Sequence, residues 1–221
     1  MNRSCRFAAV ALAAIAGSIA LAQPGKDAGQ PEMQLPPGMT MEDMQACMEA
    51  GIPGEMHAFL AESVGTWEGK VKMWMDPSMP PTESTCTTVI TSIMDGRYVR
   101  CETSGEMPGM GLFLGSGIYA FDNVTQQFQS TWIDNMSTGI AFGTGELSSD
   151  RKTLTWKLTF NCPITKKPTT MREVQRFIDK DTSIMEMYGA NPKTGEEYKM
   201  MEIHYTRASG APASTQVPAG H

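Results

Sequence analysis

Asp134 is the carboxylate best placed for chemistry in this chain of 221 residues. It follows Trp132 by two positions in FQSTWIDNMSTG, and alternate side chains of an extended strand share a face. A carboxylate held against an aromatic wall can serve as a general acid or base. The competing reading is turn chemistry, because Asp134-Asn135 opens a tight loop where such residues hydrogen-bond the backbone. No second catalytic partner can be named beside Asp134. An enzyme using it is therefore an alternative, and a non-catalytic protein is the first reading.

Other chemistries leave weaker traces. No H-E-x-x-H, G-x-S-x-G or P-loop is present, and the glycines of GMGLFLGSG lack the strand-to-helix setting of a dinucleotide site. His204 is the one histidine placed to serve as an inward haem ligand, but its neighbour Glu202 favours an outer-face position. The 19 methionines include Met73-x-Met75 and Met107-x-x-Met110, and thioethers suit Cu(I). Methionine at alternate strand positions is also ordinary, adaptable core filler. No motif calls for a metal or cofactor.

The elements that position Trp132 and Asp134 carry an unusual glycine pattern. Phe128, Ser130, Trp132 and Asp134 share one strand face, and the next stretch offers Gly139, Ala141, Gly143 and Gly145 at every second position. A two-residue loop at Met136-Ser137 sets Ala141 opposite Trp132 and Gly143 opposite Ser130. On the other side, a four-residue loop over Asp122–Thr125 sets Gly115 opposite Trp132 and Gly117 opposite Ser130. Glycine within a strand marks a bend or a close approach to backbone. In one reading Trp132 lies flat across these glycines as the wall coils to close. In the other the glycines enlarge a cavity, and Trp132, Asp134, Ser130, Gly115 and Gly143 line a ligand site.

Nearly everything between residues 57 and 207 has this two-residue period. From Trp67, Gly69, Val71, Met73 and Met75 lie on one face, and Glu68, Lys70 and Lys72 on the other. Turn signals recur about every 8–12 residues, as in all-β barrels and sandwiches. A two-residue loop at Asp95-Gly96 pairs Ile93 with Tyr98, Thr91 with Arg100 and Val89 with Glu102. Cys86, Thr88, Ile90, Val99, Cys101 and Thr103 then form an uncharged inward face. Short connections imply antiparallel neighbours, and a long meander best removes its edges by closing. The expected fold is all-β, an antiparallel up-and-down barrel of about ten strands with short N-terminal helices.

Residues 1–22 have the charged start, apolar core and A-x-A end of a secretory signal. Export to the periplasm or the exterior is expected, as a soluble protein. Residues 23–39 read as a flexible linker and 208–221 as a disordered tail. Residues 40–56 read as a helical segment, with Thr40 as cap, Met41, Met44 and Met48 on one stripe, and Gly51 with Pro53 as stop. Residues 57–207 form the barrel domain. Cys47, Cys86, Cys101 and Cys162 follow the signal, and spacing does not choose among their pairings. Cys86 and Cys101 share a face but sit too far apart for a simple hairpin disulfide. With 18 basic against 24 acidic residues the net charge is −6, and no basic block invites nucleic acid or an anionic membrane. Oligomeric state is left open.

GTWEGKVKMWMDPSMPPTEST, GRYV, FDN, STWIDNMSTGI and MEIHYTR occur in this order between His57 and Arg207. Together they resemble domain-of-unknown-function family 1579, a bacterial family with calycin-like features. The resemblance implies a lipocalin-like barrel and carries no established activity. Gly65-Thr66-Trp67 is similar to the Gly-x-Trp opening of a calycin first strand, and Arg207 resembles the basic residue packing across that tryptophan. Both would then be structural, closing one barrel end. The resulting expectation is a barrel for a small apolar or amphipathic ligand. The alternative is a filled structural or protein-interaction barrel, with haem or copper binding behind both.

Overall fold

The computed structural model describes residues 35–191 and 194–209. The expected signal segment, most of the expected linker and nearly all of the expected tail lie outside the described residues. Residues 35–40 hold one turn, with Met39 N donating to Pro36 O at 3.0 Å, and belong to a unit separate from residues 41–221. The second unit contains two helices, α1 (Met41–Ala50) and α2 (Glu55–Ala61). Ten strands follow: β1 (Gly65–Met73), β2 (Thr82–Ile93), β3 (Tyr98–Met107), β4 (Gly111–Asp122), β5 (Gln127–Asp134), β6 (Ala141–Leu147), β7 (Thr153–Asn161), β8 (Pro168–Phe177), β9 (Thr182–Ala190) and β10 (Glu197–Arg207). Each strand pairs antiparallel with its chain neighbours, and β1 pairs with β10 to close the barrel. This is the all-β, ten-stranded, up-and-down architecture the alternation and turn spacing imply.

Alternation sets the wall. In β1, Trp67, Gly69 and Val71 are buried, while Glu68, Lys70 and Lys72 are exposed. The Asp95-Gly96 turn has φ values of 55° and 83°, the left-handed pair that a tight hairpin needs, and Arg97 N donates to Met94 O at 3.3 Å. Ile93 faces Tyr98, Thr91 faces Arg100 and Val89 faces Glu102, the register expected from that turn.

The β4–β5 register differs from the expected one by two residues. Asp122 pairs with Gln127, so the loop is 123–126, and Trp132 faces Gly117 while Gly115 faces Asp134. Asp122 is retained in the strand because its carboxylate caps the turn, accepting from Val124 N at 2.9 Å and Thr125 Oγ1 at 2.7 Å. Gln126 takes the left-handed position, with φ 55°. A two-residue shift preserves side-chain parity, so Trp132 still meets glycine.

The two ends of the barrel differ. At the end where β2 turns into β3 and β4 into β5, α2 inserts Phe59 and Leu60 among Val99, Phe128, Leu154, Trp156 and Leu158. The Phe59 ring meets Phe128 and Phe177 edge-on at centroid distances of 6.1 and 5.4 Å. Because α2 runs to Ala61, the wall begins at Gly65 and not at residue 57. The methionine stripe of α1 does not pack as a buried face: no α1 residue is buried, and Met41 and Met48 are each 63% exposed. The chain after α1 is held instead by Asn123, whose side chain donates to Ala50 O and Ile52 O at 3.1 and 2.8 Å.

Arg207 closes the seam at the α2 end. Its guanidinium carbon lies 4.2 Å from the Trp67 ring centroid, and its nitrogens donate to Val64 O, Glu62 O and Lys180 O at 2.6, 2.9 and 2.9 Å. Trp67 Nε1 donates to Ser63 O at 2.8 Å. The pair thus ties β1, β10 and the end of α2 together. Replacing Arg207 with Ala should lower stability by about 1–2 kcal/mol through these lost charged hydrogen bonds and the cation–π contact. Lysine should recover little of it, since an ammonium cannot span the three carbonyls. Urea unfolding of the two variants measures both.

Candidate functional site

The barrel encloses a lumen of about 1090 Å³. Its lining is mostly apolar: Val71, Ile90, Val99, Leu154, Trp156, Leu158 and Ile203 are joined by methionines from β1, β3, β8, β9 and β10. At the end away from α2 the lining continues into loops, through Met75, Pro108 to Met110, Met136 and Ile140. That end is the mouth. Aromatic side chains from α2 and the strands seal the base, where Phe128 packs edge-on against Phe121 and Trp156.

Trp132 lines the lumen and also lies flat across glycines. A Cβ on Gly115 would overlap its ring, and one on Gly117 would come within 2.9 Å of it and 2.7 Å of Thr131 O. A Cβ on Gly143 would overlap Ser130 Oγ and approach Leu158 to 2.9 Å. Trp156 covers Gly145 in the same way, at 2.8 Å. The glycines therefore seat side chains against the wall and do not themselves open the cavity. Gly139 stands apart from them, in the loop between β5 and β6.

Asp134 follows turn chemistry. Its Oδ1 accepts from Met136 N at 3.0 Å and its Oδ2 from Trp132 Nε1 at 3.2 Å, so it fixes both the loop and the indole at the mouth. Ser130 is buried in the lumen lining, and its Oγ has no hydrogen-bond partner among the described residues. His204 points outward and is exposed, with Nε2 2.7 Å from Glu202 Oε1, so it is not presented to the lumen as a haem ligand. Among the described residues no group of three or more His, Cys, Asp or Glu side chains converges as a metal site. No disulfide joins Cys47, Cys86, Cys101 and Cys162.

The polar group that sequence reasoning missed is Glu173. It lies on the inward face of β8 with Met171, Gln175 and Phe177, between Trp156 of β7 and Met187 of β9. What surface it retains faces the lumen, away from bulk water, and loss of hydration pushes its carboxyl up to about 7. No described side chain forms an ion pair with it. Tyr119, Cys101 and Tyr205 come near enough to feel its charge, and burial raises all three, the Cys101 thiol to about 12. Burial likewise raises Cys86, which hydrogen-bonds with Tyr205 and Thr88. These thiols are weak nucleophiles at neutral pH. A sequence signal for Glu173 exists: Met171 and Phe177 share its parity, so the apolar face of this strand also carries Glu and Gln.

Residues 52–207 match the model of the family described as a protein of unknown function, DUF1579. The chain belongs to that family. The matched span covers α2 and all ten strands of this DUF1579 barrel. No curated protein matches it. Among solved structures it is similar to the S-type phycobiliprotein lyase CPES from Guillardia theta, at 12% identity and TM-score 0.51, covering 75% of this chain and 98% of that one. It is also similar to Rv2717c from M. tuberculosis, at 15% identity and TM-score 0.52, covering 71% and 99%. At these identities the likeness is one of fold, a calycin-like barrel. No helix of the described residues is long and apolar enough to cross a membrane.

Proposed function

We propose that this DUF1579 protein is an exported carrier or sensor that binds a small apolar or amphipathic molecule inside its barrel. The observation that carries the reading is the lumen itself. Its volume of about 1090 Å³ lies just above the roughly 300–1,000 Å³ usual for ligand sites, and its walls are apolar with a few inward polar groups. A filled structural barrel would have side chains interdigitating across that space. Methionines suit an adaptable wall, because unbranched thioether chains repack around different shapes. Trp132 and Asp134 stand at the mouth, Ser130, Gly115 and Gly143 support the wall around them, and α2 seals the far end.

Titration with fatty acids and isoprenoid alcohols should change the tryptophan fluorescence saturably, because Trp67, Trp74, Trp132 and Trp156 all line the lumen, and Trp132→Phe should reduce that change. A bound ligand should also stabilise the fold, by about 2.7 kcal/mol when present at a hundred times its Kd. If neither fluorescence nor melting temperature responds to any member of the set, the carrier reading is wrong.

A further inference from the structure

Midway along the barrel the lumen contains one carboxyl group, Glu173, for which the wall offers no ion-pair partner among the described residues, and that group indicates the chemistry of the ligand. We propose that the barrel selects lipophilic amines, with the protonated nitrogen received by Glu173 and the apolar body lying along the methionine-lined wall. The proposal rests on the lumen-binding reading and narrows it.

Three observations support an ammonium over other head groups. First, Glu173 faces the lumen from the middle of β8, and none of the ion pairs among the described residues includes it. The lumen's arginines lie at the α2 end and are engaged there, Arg151 with Glu55 and Arg207 with Asp181. An anionic ligand would meet a carboxyl and find no free cation in mid-barrel. Second, the surroundings of Glu173 suit a cation. Trp156 stands directly opposite it across the β7–β8 ladder, and Tyr119 packs edge-on against Trp156 with centroids 5.3 Å apart. Ring faces attract ammonium groups, more strongly where water is excluded. Third, the mouth is acidic: Asp134 and Glu106 are the charged residues lining that end, in a chain of net charge −6. Such a field draws cations in and turns carboxylates away.

The titratable groups near enough to feel the charge of Glu173 are Cys101 on β3, Tyr119 on β4 and Tyr205 on β10, and burial keeps all three uncharged at pH 8. At that pH Glu173 is ionised and an alkylammonium is still protonated.

The test compares decylamine, decanol and decanoate, which share a tail, for binding to the wild-type protein and to Glu173→Gln at pH 8. Decylamine should bind the wild type about tenfold or more tightly than decanol, with decanoate weakest. In Glu173→Gln that advantage should vanish, while decanol affinity stays within about twofold, because the apolar contacts are untouched. Equal binding of the three probes to the wild type, or an undiminished preference for decylamine in the variant, overturns the amine assignment and leaves the carrier reading standing. Binding of none of the three overturns both.

Discussion

Glu173→Gln should stabilise the protein at pH 8 by an amount on the order of 3 kcal/mol and leave it nearly unchanged at pH 4.5. The direction follows from proton counts. Burial raises the folded carboxyl from 4.5 to about 7, so between these values the native state holds a proton that the unfolded chain has released. Native protons in excess make stability fall as pH rises through this window, and the loss is complete once the folded group ionises. Glutamine is close in shape and never charges, so it removes the loss while keeping the packing. Asp122 and Asp150 are shifted the other way, each chiefly by a neighbouring hydroxyl, but they are common to both proteins and drop out of the difference. Urea unfolding of both proteins from pH 4.5 to 8 gives the curve. A difference that does not grow with pH would mean that water or a neighbouring group solvates Glu173 in the native state.

The second large effect concerns the glycines under the tryptophans. Gly145→Ala places a Cβ 2.8–2.9 Å from the Trp156 ring and 3.0 Å from the Phe128 Cβ. Trp156 lines the lumen but is only 3% exposed and is held edge-on by Tyr119 and Phe128, so retreating from the new Cβ would break both ring contacts. The expected cost is about 1–3 kcal/mol, despite the better strand propensity of alanine. Gly115→Leu should be equally harmful to stability but for another reason. Trp132 is only half buried and has the lumen beside it, so it can swing inward, breaking its hydrogen bond to Asp134 and taking up ligand space. Ligand affinity should then fall together with the melting temperature. Gly145→Ala should lower the melting temperature with a smaller effect on binding than Gly115→Leu, because Trp156 stays clamped between its neighbours and does not fill the lumen. Thermal denaturation and fluorescence titration of the two variants separate these outcomes.

Much of this architecture could be read from residue order, because strand parity is robust. The inward face of β2 and β3 and the hairpin at Asp95-Gly96 depend on alternation and a few turn residues, whereas the stacking of Arg207 on Trp67 was implied by the family resemblance. Asp134 was legible for the same reason, its position at a strand end making it a turn residue. Glu173 was not. The segment MREVQR places charge or amide on both faces, so period two gives no contrast, and only Met171 and Phe177 reveal which face is inside. The β4–β5 register slipped because the side chain of Asp122 caps the turn from within the strand, which spacing alone does not disclose. The stripe on α1 misled because helical periodicity shows that a face exists and not that anything covers it.

The seam between β1 and β10 has a consequence for how the molecule is made. Arg207 bonds to Val64 across 143 positions of chain, so the barrel's C-terminal strand, synthesised after its other nine, is the one that completes the wall. Until it arrives, β1 and β9 each present an open row of backbone groups, the template on which strands of separate molecules join. Contacts of such separation form late and slow folding. Chains truncated before Glu197 should therefore accumulate as aggregates and not as smaller barrels. A nascent chain held unfolded until its C-terminal strand is available would escape that fate, a condition that passage through a membrane as an extended polypeptide would satisfy.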